Sequence, residues 1–197
     1  MNETKTKQMD ITPKQMSKVH NLPRYTPPIT FKDKTVDRLE KIKLLGTWLS
    51  EDLEWTEHVK EVTSSRYNVL FTLRKVKNMT PQETKKALVQ SVVLFKLNFN
   101  DSVPYPLSAF LKKRVQRVQN AAAGFVLNHF CSERDVLELG WLPTLENTQL
   151  NILKLGHRAL FSEVWPEYLQ LPRHHPQRTL RSSNASVIEI SLVKGAF

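Results

Sequence analysis

Nucleotide polymerisation requires carboxylates close enough to hold two metal ions about 3.5–4 Å apart. This chain offers one adjacent acidic pair, Glu51-Asp52, between an apolar segment ending at Leu49 and a helical pattern beginning at Trp55. With no hydrophobic hairpin around it, the pair reads as a solvated helix-entry turn. The sequence also lacks a glycine-rich phosphate loop, a Gly-x-Ser-x-Gly elbow and a Cys/His nucleophile pair in supporting context. Cys131 is the single cysteine, which excludes an internal disulfide. The six histidines, including the adjacent His174 and His175, do not fall into zinc-finger spacing. No catalytic residue and no metal site are expected.

What remains is charge. Of the net +10, residues 1–54 carry +2, residues 55–130 carry +8 and residues 131–197 carry 0. Cations gathered on one folded face favour a polyanion, whereas dispersed ones give only solubility and weak non-specific attraction. The elements that carry them therefore decide the reading.

The first fifty residues are broken by prolines at 13, 23, 27 and 28. Thr6–Ile11, Ile29–Lys32 and Ile42–Leu49 are the candidate strands. From Trp55 the apolar period becomes three and four: Trp55, Val59, Val62, Val69, Leu70, Leu73 and Val76 mark one stripe of a helix capped by Thr56. Arg66 interrupts that stripe, which requires open packing or a guanidinium that snorkels to water. A second helix is expected from a Thr80 N-cap, Pro81 at the first position and Glu83 completing a capping box, with Ala87, Leu88, Ser91, Val92 and Phe95 facing inward. A third follows through Leu111, Val115, Val118, Ala122 and Phe125. Lys113, Gln116, Arg117 and Asn120 lie opposite its stripe, with Lys112 on their flank and Arg114 near the border. Ser132–Leu139 is a short helix ended by Gly140, and Pro143-Thr144 opens a last helix through Leu150, Leu153 and Leu160. Residues 170–197 read as mostly irregular, with one possible strand at Val187–Val193.

No membrane segment is expected. The longest helical apolar run, Ala87–Phe99, is interrupted by Gln90, Lys96 and Asn98 and falls short of the roughly 20 residues a bilayer requires. Met1–Asp10 has no apolar core of a secretory signal, so an intracellular location is expected, with no compartment specified.

Met1-Asn2-Glu3-Thr4-Lys5-Thr6-Lys7 resembles the Leu-Asn-x-x-Lys-Thr-Lys stretch that follows the catalytic hairpin in reverse transcriptases of non-LTR (LINE-type) retrotransposons. Lys41 to Trp55 with His58-Val59 is similar to that family's Lys-x-Leu-Gly segment and its Leu-x-Trp-x-x-His continuation. Leu73–Lys77, Phe99–Val103, Val115–Ala122, Leu139–Pro143, Pro166–Leu169 and Arg178–Ser183 resemble later landmarks in the same order. Asn100, where the family often has Cys, and Arg66, where a small residue is usual, depart from the pattern.

The resemblance implies an α+β fold, predominantly α. Residues 1–54 would be a remnant of palm strands with a primer-grip-like hairpin at Leu45 and Gly46, and 55–130 a helical thumb bundle. Residues 131–169 would form a helical extension and 170–197 an irregular tail. Asn2, Lys5 and Thr6 would belong to the motif after the catalytic hairpin. The Asp-Asp box lies upstream of such a segment in the family, so no polymerase activity is expected of this chain and no cofactor, although the parent enzymes use Mg²⁺. An in-frame Asp-Asp box encoded just upstream would show Met1 to be an internal methionine of a longer polymerase. Arg74, Lys75, Lys77, Lys112, Lys113 and Arg117 would hold an RNA/DNA duplex independently of sequence, and the missing fingers–palm portion is a possible partner. No aromatic residue interleaves with these cations in the sequence, which argues against a single-strand stacking platform. A helical protein-interaction module, or a gene-model remnant with no cellular role, fits the same composition.

Overall fold

Short runs between prolines and turns pair only briefly in the N-terminal region, and long amphipathic runs take over after Trp55. The computed structural model describes residues 6–12, 18–19, 27–31, 34–162 and 164–169. The chain forms two units, Met1–Asn147 and Thr148–Phe197. It is predominantly helical with short strands, the α+β class expected. The expected breaks at 54/55 and 130/131 both fall within the first unit. Asn2, Lys5 and the possible strand at Val187–Val193 lie outside the described residues, as does the tail from 170 onward.

Among the described residues, six strands form three separate pairs: β1 (Lys7–Gln8) parallel to β4 (Asp37–Arg38), β2 (Thr30–Phe31) antiparallel to β3 (Lys34–Thr35), and β5 (Lys41–Leu44) antiparallel to β6 (Thr47–Ser50). The single strand expected over Ile42–Leu49 is thus a hairpin. Its two-residue turn has Leu45 at φ 49 and Gly46 at φ 86, the positive pair that matches the twist of the flanking strands. A Cβ on Gly46 would lie 3.5 Å from Phe99, an ordinary contact. The backbone angle therefore requires glycine there, and space does not. Asn100 Nδ2 donates to Thr47 Oγ1 at 3.2 Å, fastening the turn to the loop after the second helix.

A two-stranded hairpin is marginal alone, and α1 (Thr56–Arg74) supports this one. Trp48 donates its backbone N–H to His58 Nδ1 at 3.4 Å and its indole N–H to the Glu61 carboxylate. Lys43 Nζ meets the other Glu61 oxygen at 2.6 Å. His58 is buried, and burial holds its imidazole below the ordinary value, favouring the neutral form that can accept at Nδ1.

The next helix, α2, spans 82–97 and contains a wider π turn at Val89–Leu94. A 3₁₀ turn at Lys77–Met79 precedes it. Then come α3 (Ala109–Leu127), α4 (Glu133–Glu138) and α5 (Thr144–Phe161), with a 3₁₀ turn at Glu167–Leu169. The core joins Leu70 of α1, Val89, Val93, Leu94 and Leu97 of α2, Val118, Ala122, Phe125 and Val126 of α3, and Val136, Leu139 and Trp141 around α4. Full burial of such side chains contributes about 1.5–3 kcal/mol each. The expected stripe on α3 is in place, and that on α1 holds as far as Leu73, with Val62, Val69, Leu73 and Val115 packed partly buried against this core, while Val76 lies beyond the helix and is exposed.

Several local expectations are corrected. Neither Thr56 nor Thr80 is a side-chain cap: Trp55 and Pro81 occupy the N-cap positions without capping bonds, and Thr80 Oγ1 donates back to Val76 O at 2.8 Å. The inward face of α2 is carried by Lys85, Val89, Val93, Leu94 and Leu97, while Ala87, Ser91, Val92 and Phe95 are exposed. Apolar residues surround that helix from Leu88 to Phe95, so its periodicity leaves the buried side undetermined. Arg66 is half-buried and does more than reach water. Its Nη1 donates to Val92 O at 2.7 Å within the π turn, where wider winding takes carbonyls off the usual i→i−4 ladder. Partial burial draws its guanidinium below the ordinary value.

Gln116, expected on the solvated face of α3, is buried, and Asn120 is half-buried. Gln116 Oε1 accepts from both the backbone N–H and the hydroxyl of Thr144 at 2.9 Å. Its amide nitrogen donates to Gln119 and Asn120 at 2.9 and 2.8 Å. One helix thus satisfies an orphan donor at the start of another. The expected α4 boundaries hold. Ser132 and Asp135 form a capping box, and Gly140 at φ 74 lets Trp141 N–H reach Val136 O at 3.1 Å.

Candidate nucleic-acid interface

The last turn of α1 ends in Arg74, Lys75 is its C-cap, and Lys77 sits in the following 3₁₀ turn. Across from them runs the middle of α3. Its Asn128 C-cap adopts the left-handed conformation, φ 64, which turns the chain back along the helix as His129, Phe130 and Cys131. Gly124 permits this reversal, since a Cβ there would come 2.7 Å from His129 O. Between these segments lies an open groove of about 770 Å³. Arg74, Lys77 and Arg117 line it together with Tyr67, Asn120, Asn128, His129 and Phe130, above a floor that includes Ala121 and Phe125.

Among the described residues, none that lines the groove is an aspartate or glutamate. Among the described residues, Arg74, Lys77 and Arg117 have no carboxylate within ion-pair distance. Positive potential from three such groups adds within an apolar-walled concavity. Behind the floor, buried Lys85 donates to Asn128 Oδ1 at 3.3 Å and lies 5.9 Å from the centre of the Phe125 ring. Sequence reading missed Lys85, because a lysine on an amphipathic helix ordinarily marks its outer face.

Of the six expected contact residues, Arg74, Lys77 and Arg117 meet in the groove. Lys113 is exposed on the Arg117 face of α3, one turn earlier and about 6 Å along the axis. Lys112 is half-buried and lines no part of the groove, and Lys75 places its ammonium 5.8 Å from the centre of the Phe71 ring. Leu45, Gly46 and Thr6 do not line it either. The sequence showed no aromatic interleaving, yet folding brings Tyr67 and Phe130 among these cations. Tyr67 was legible in principle: Tyr67, Phe71 and Arg74 follow helical spacing along one face of α1. Phe130 was not, because its place depends on the chain reversal after α3.

At the groove's end, metal-ligand atoms of His129, Cys131 and Asp135 lie within 4.8 Å of one another, with Cys131 Sγ 3.6 Å from His129 Nδ1. The donor types suit Zn²⁺, but they are one short of a closed four-ligand site. Asp135 Oδ2 already accepts from the Ser132 N–H and hydroxyl at 2.6 and 2.8 Å. Those bonds hold its carboxyl below the ordinary range, while burial and the Asp135 and Glu138 charges push the Cys131 thiol up. The arrangement is accounted for as a helix cap with a protonated thiol beside it.

No protein-family model, curated protein or solved structure matches the chain.

Proposed function

We propose that the chain is a catalytically incomplete segment of a non-LTR retrotransposon RNA-directed DNA polymerase, running from the palm end through the thumb. In this reading the groove between α1 and α3 holds the backbone of nucleic acid without reading its sequence. The observation that carries the binding function is the meeting of Arg74, Lys77 and Arg117 in a groove whose described lining residues include no carboxylate. Guanidinium and ammonium groups on phosphate position a strand but carry no base information. The ordered landmarks from Asn2 to Ser183 support the parentage, and the turn at Leu45-Gly46 ahead of a long helix is compatible with it. The chain itself would be no enzyme, and Mg²⁺ would belong to the aspartates of the parent polymerase.

Fluorescence anisotropy with an RNA–DNA hybrid across a salt series tests the reading. Three phosphate contacts give a slope of log affinity against log salt of roughly −2 to −3, the same for hybrids of unrelated sequence. The double reversal Arg74→Glu/Arg117→Glu flattens it by about two contacts' worth. Affinity indifferent to both salt and the reversal would overturn nucleic-acid binding and favour a protein-interaction module.

A further inference from the structure

Tyr67 and Phe130 have no role in a site that grips only phosphates. Phe130 is fully exposed, and Tyr67 is 42% exposed. Both line the groove that holds Arg74, Lys77 and Arg117. In a duplex each base is covered above and below by its neighbours, so it has no free face to offer a protein ring. An unpaired strand does, and each of its bases can stack on an aromatic side chain while the adjoining phosphates meet cations. The groove's volume is of nucleotide-ligand size, and its amide-bearing and apolar walls suit a base edge and a base face.

We infer that this groove takes an unpaired nucleic-acid strand, stacking a base against Phe130 and Tyr67 while its phosphates lie on Arg74, Lys77 and Arg117. The inference rests on the groove being the nucleic-acid site proposed above and specifies the form of nucleic acid it prefers. Because every base has a π face, the preference is for single-strandedness and not for sequence.

The full chain is titrated with three unlabelled competitors of equal phosphate number: an oligothymidylate 12-mer, a single-stranded abasic 12-mer and a short duplex. The oligothymidylate is expected to bind roughly 5- to 150-fold more tightly than the abasic strand, the range for one stacked base. Phe130→Ala should remove most of that advantage while leaving the abasic strand and the duplex within about twofold of their original affinities. Phe130→Tyr should keep it. Because Phe130 is fully exposed, neither change disturbs the core. Equal affinity for the base-bearing and abasic strands, or equal weakening of all three ligands by Phe130→Ala, overturns the inference. If the oligomers still bind with salt dependence and the Arg74/Arg117 reversal still weakens them, the charge reading survives that result. If none binds, both fall.

Discussion

Along the first half of α1, Glu61 pairs with Lys43 of the hairpin at 2.6 Å and Glu57 reaches Lys41 at 4.0 Å. At the other end of the same helix, Arg74 and Lys77 share a groove with Arg117 and, among the described residues, no carboxylate. The first arrangement uses charge to fasten two elements of the chain together. The second leaves charge uncompensated at some cost in self-repulsion, which an anionic partner would relieve. Net charge summed segment by segment cannot separate the two, because Lys41 and Lys43 lie in 1–54 while their partners Glu57 and Glu61 lie in 55–130.

The sharpest way to break the contrast is to reverse charge at each end. Arg74→Glu/Arg117→Glu should weaken nucleic-acid binding by about 3 kcal/mol or more, taking about 1.5 kcal/mol for each charge-assisted contact, with little change in the unfolding midpoint. Gly124→Ala tests the backbone geometry of the groove. Relieving the 2.7 Å approach to His129 O requires displacement of the chain reversal, at a cost of about 1–3 kcal/mol of stability. Binding should fall with it, and the hairpin contacts should persist in the Trp48 and Glu61 NMR signals. Unchanged binding would show that the loop plays no part in the site.

Caps give the next contrast. Ser132→Ala, which removes half of the α4 capping box, should cost about 0.5–2 kcal/mol. Thr80→Ala should cost less than about 0.5 kcal/mol, as its hydroxyl serves only a turn carbonyl. Denaturant midpoints that rank the two the other way would place the start of α2 at Thr80. A comparably small effect belongs to the hairpin end. Glu61→Gln should cost about 0.2–1 kcal/mol, the range for an exposed ion pair, and leave nucleic-acid affinity alone. His58 makes this end acid-sensitive. Its folded pKa lies below the unfolded value near 6.5, so the unfolded chain binds the proton more readily. The stability it contributes is fully present above about pH 6.5 and is lost as pH falls below that. His58→Gln should flatten this part of the pH–stability curve.

Helix α4 was legible in detail because its signals are local: Ser132 and Asp135 are three residues apart, and Gly140 supplies its own left-handed turn. The stripes of α1 and α3 were legible because their apolar residues recur at three and four residue steps, although Arg66 interrupts the first and Gln116 is buried on the second. For α2 the same method selected the wrong face, since Leu88, Val89, Val92, Val93, Leu94 and Phe95 surround the axis and the π turn shifts the register midway. Arg74, Lys77 and Arg117 of the candidate site were visible as basic residues on or beside two helices. Tyr67 was legible only through its helical spacing with Arg74, and Phe130 and Lys85 were not legible.

By itself the sequence determined which segments become helices, where α4 and α5 start, and that the positive charge collects between 55 and 130. These follow from interactions spanning three to seven residues, which composition and spacing record directly. Tertiary structure alone decided that Arg66 would meet the Val92 carbonyl, that Gln116 would satisfy the start of α5, and that Phe130 would stand beside Arg74 and Arg117. The first two depend on the rotation of one helix about its axis against another, and the third also on the chain reversal after α3. That rotation is set by the packing of the whole core, and no local pattern contains it.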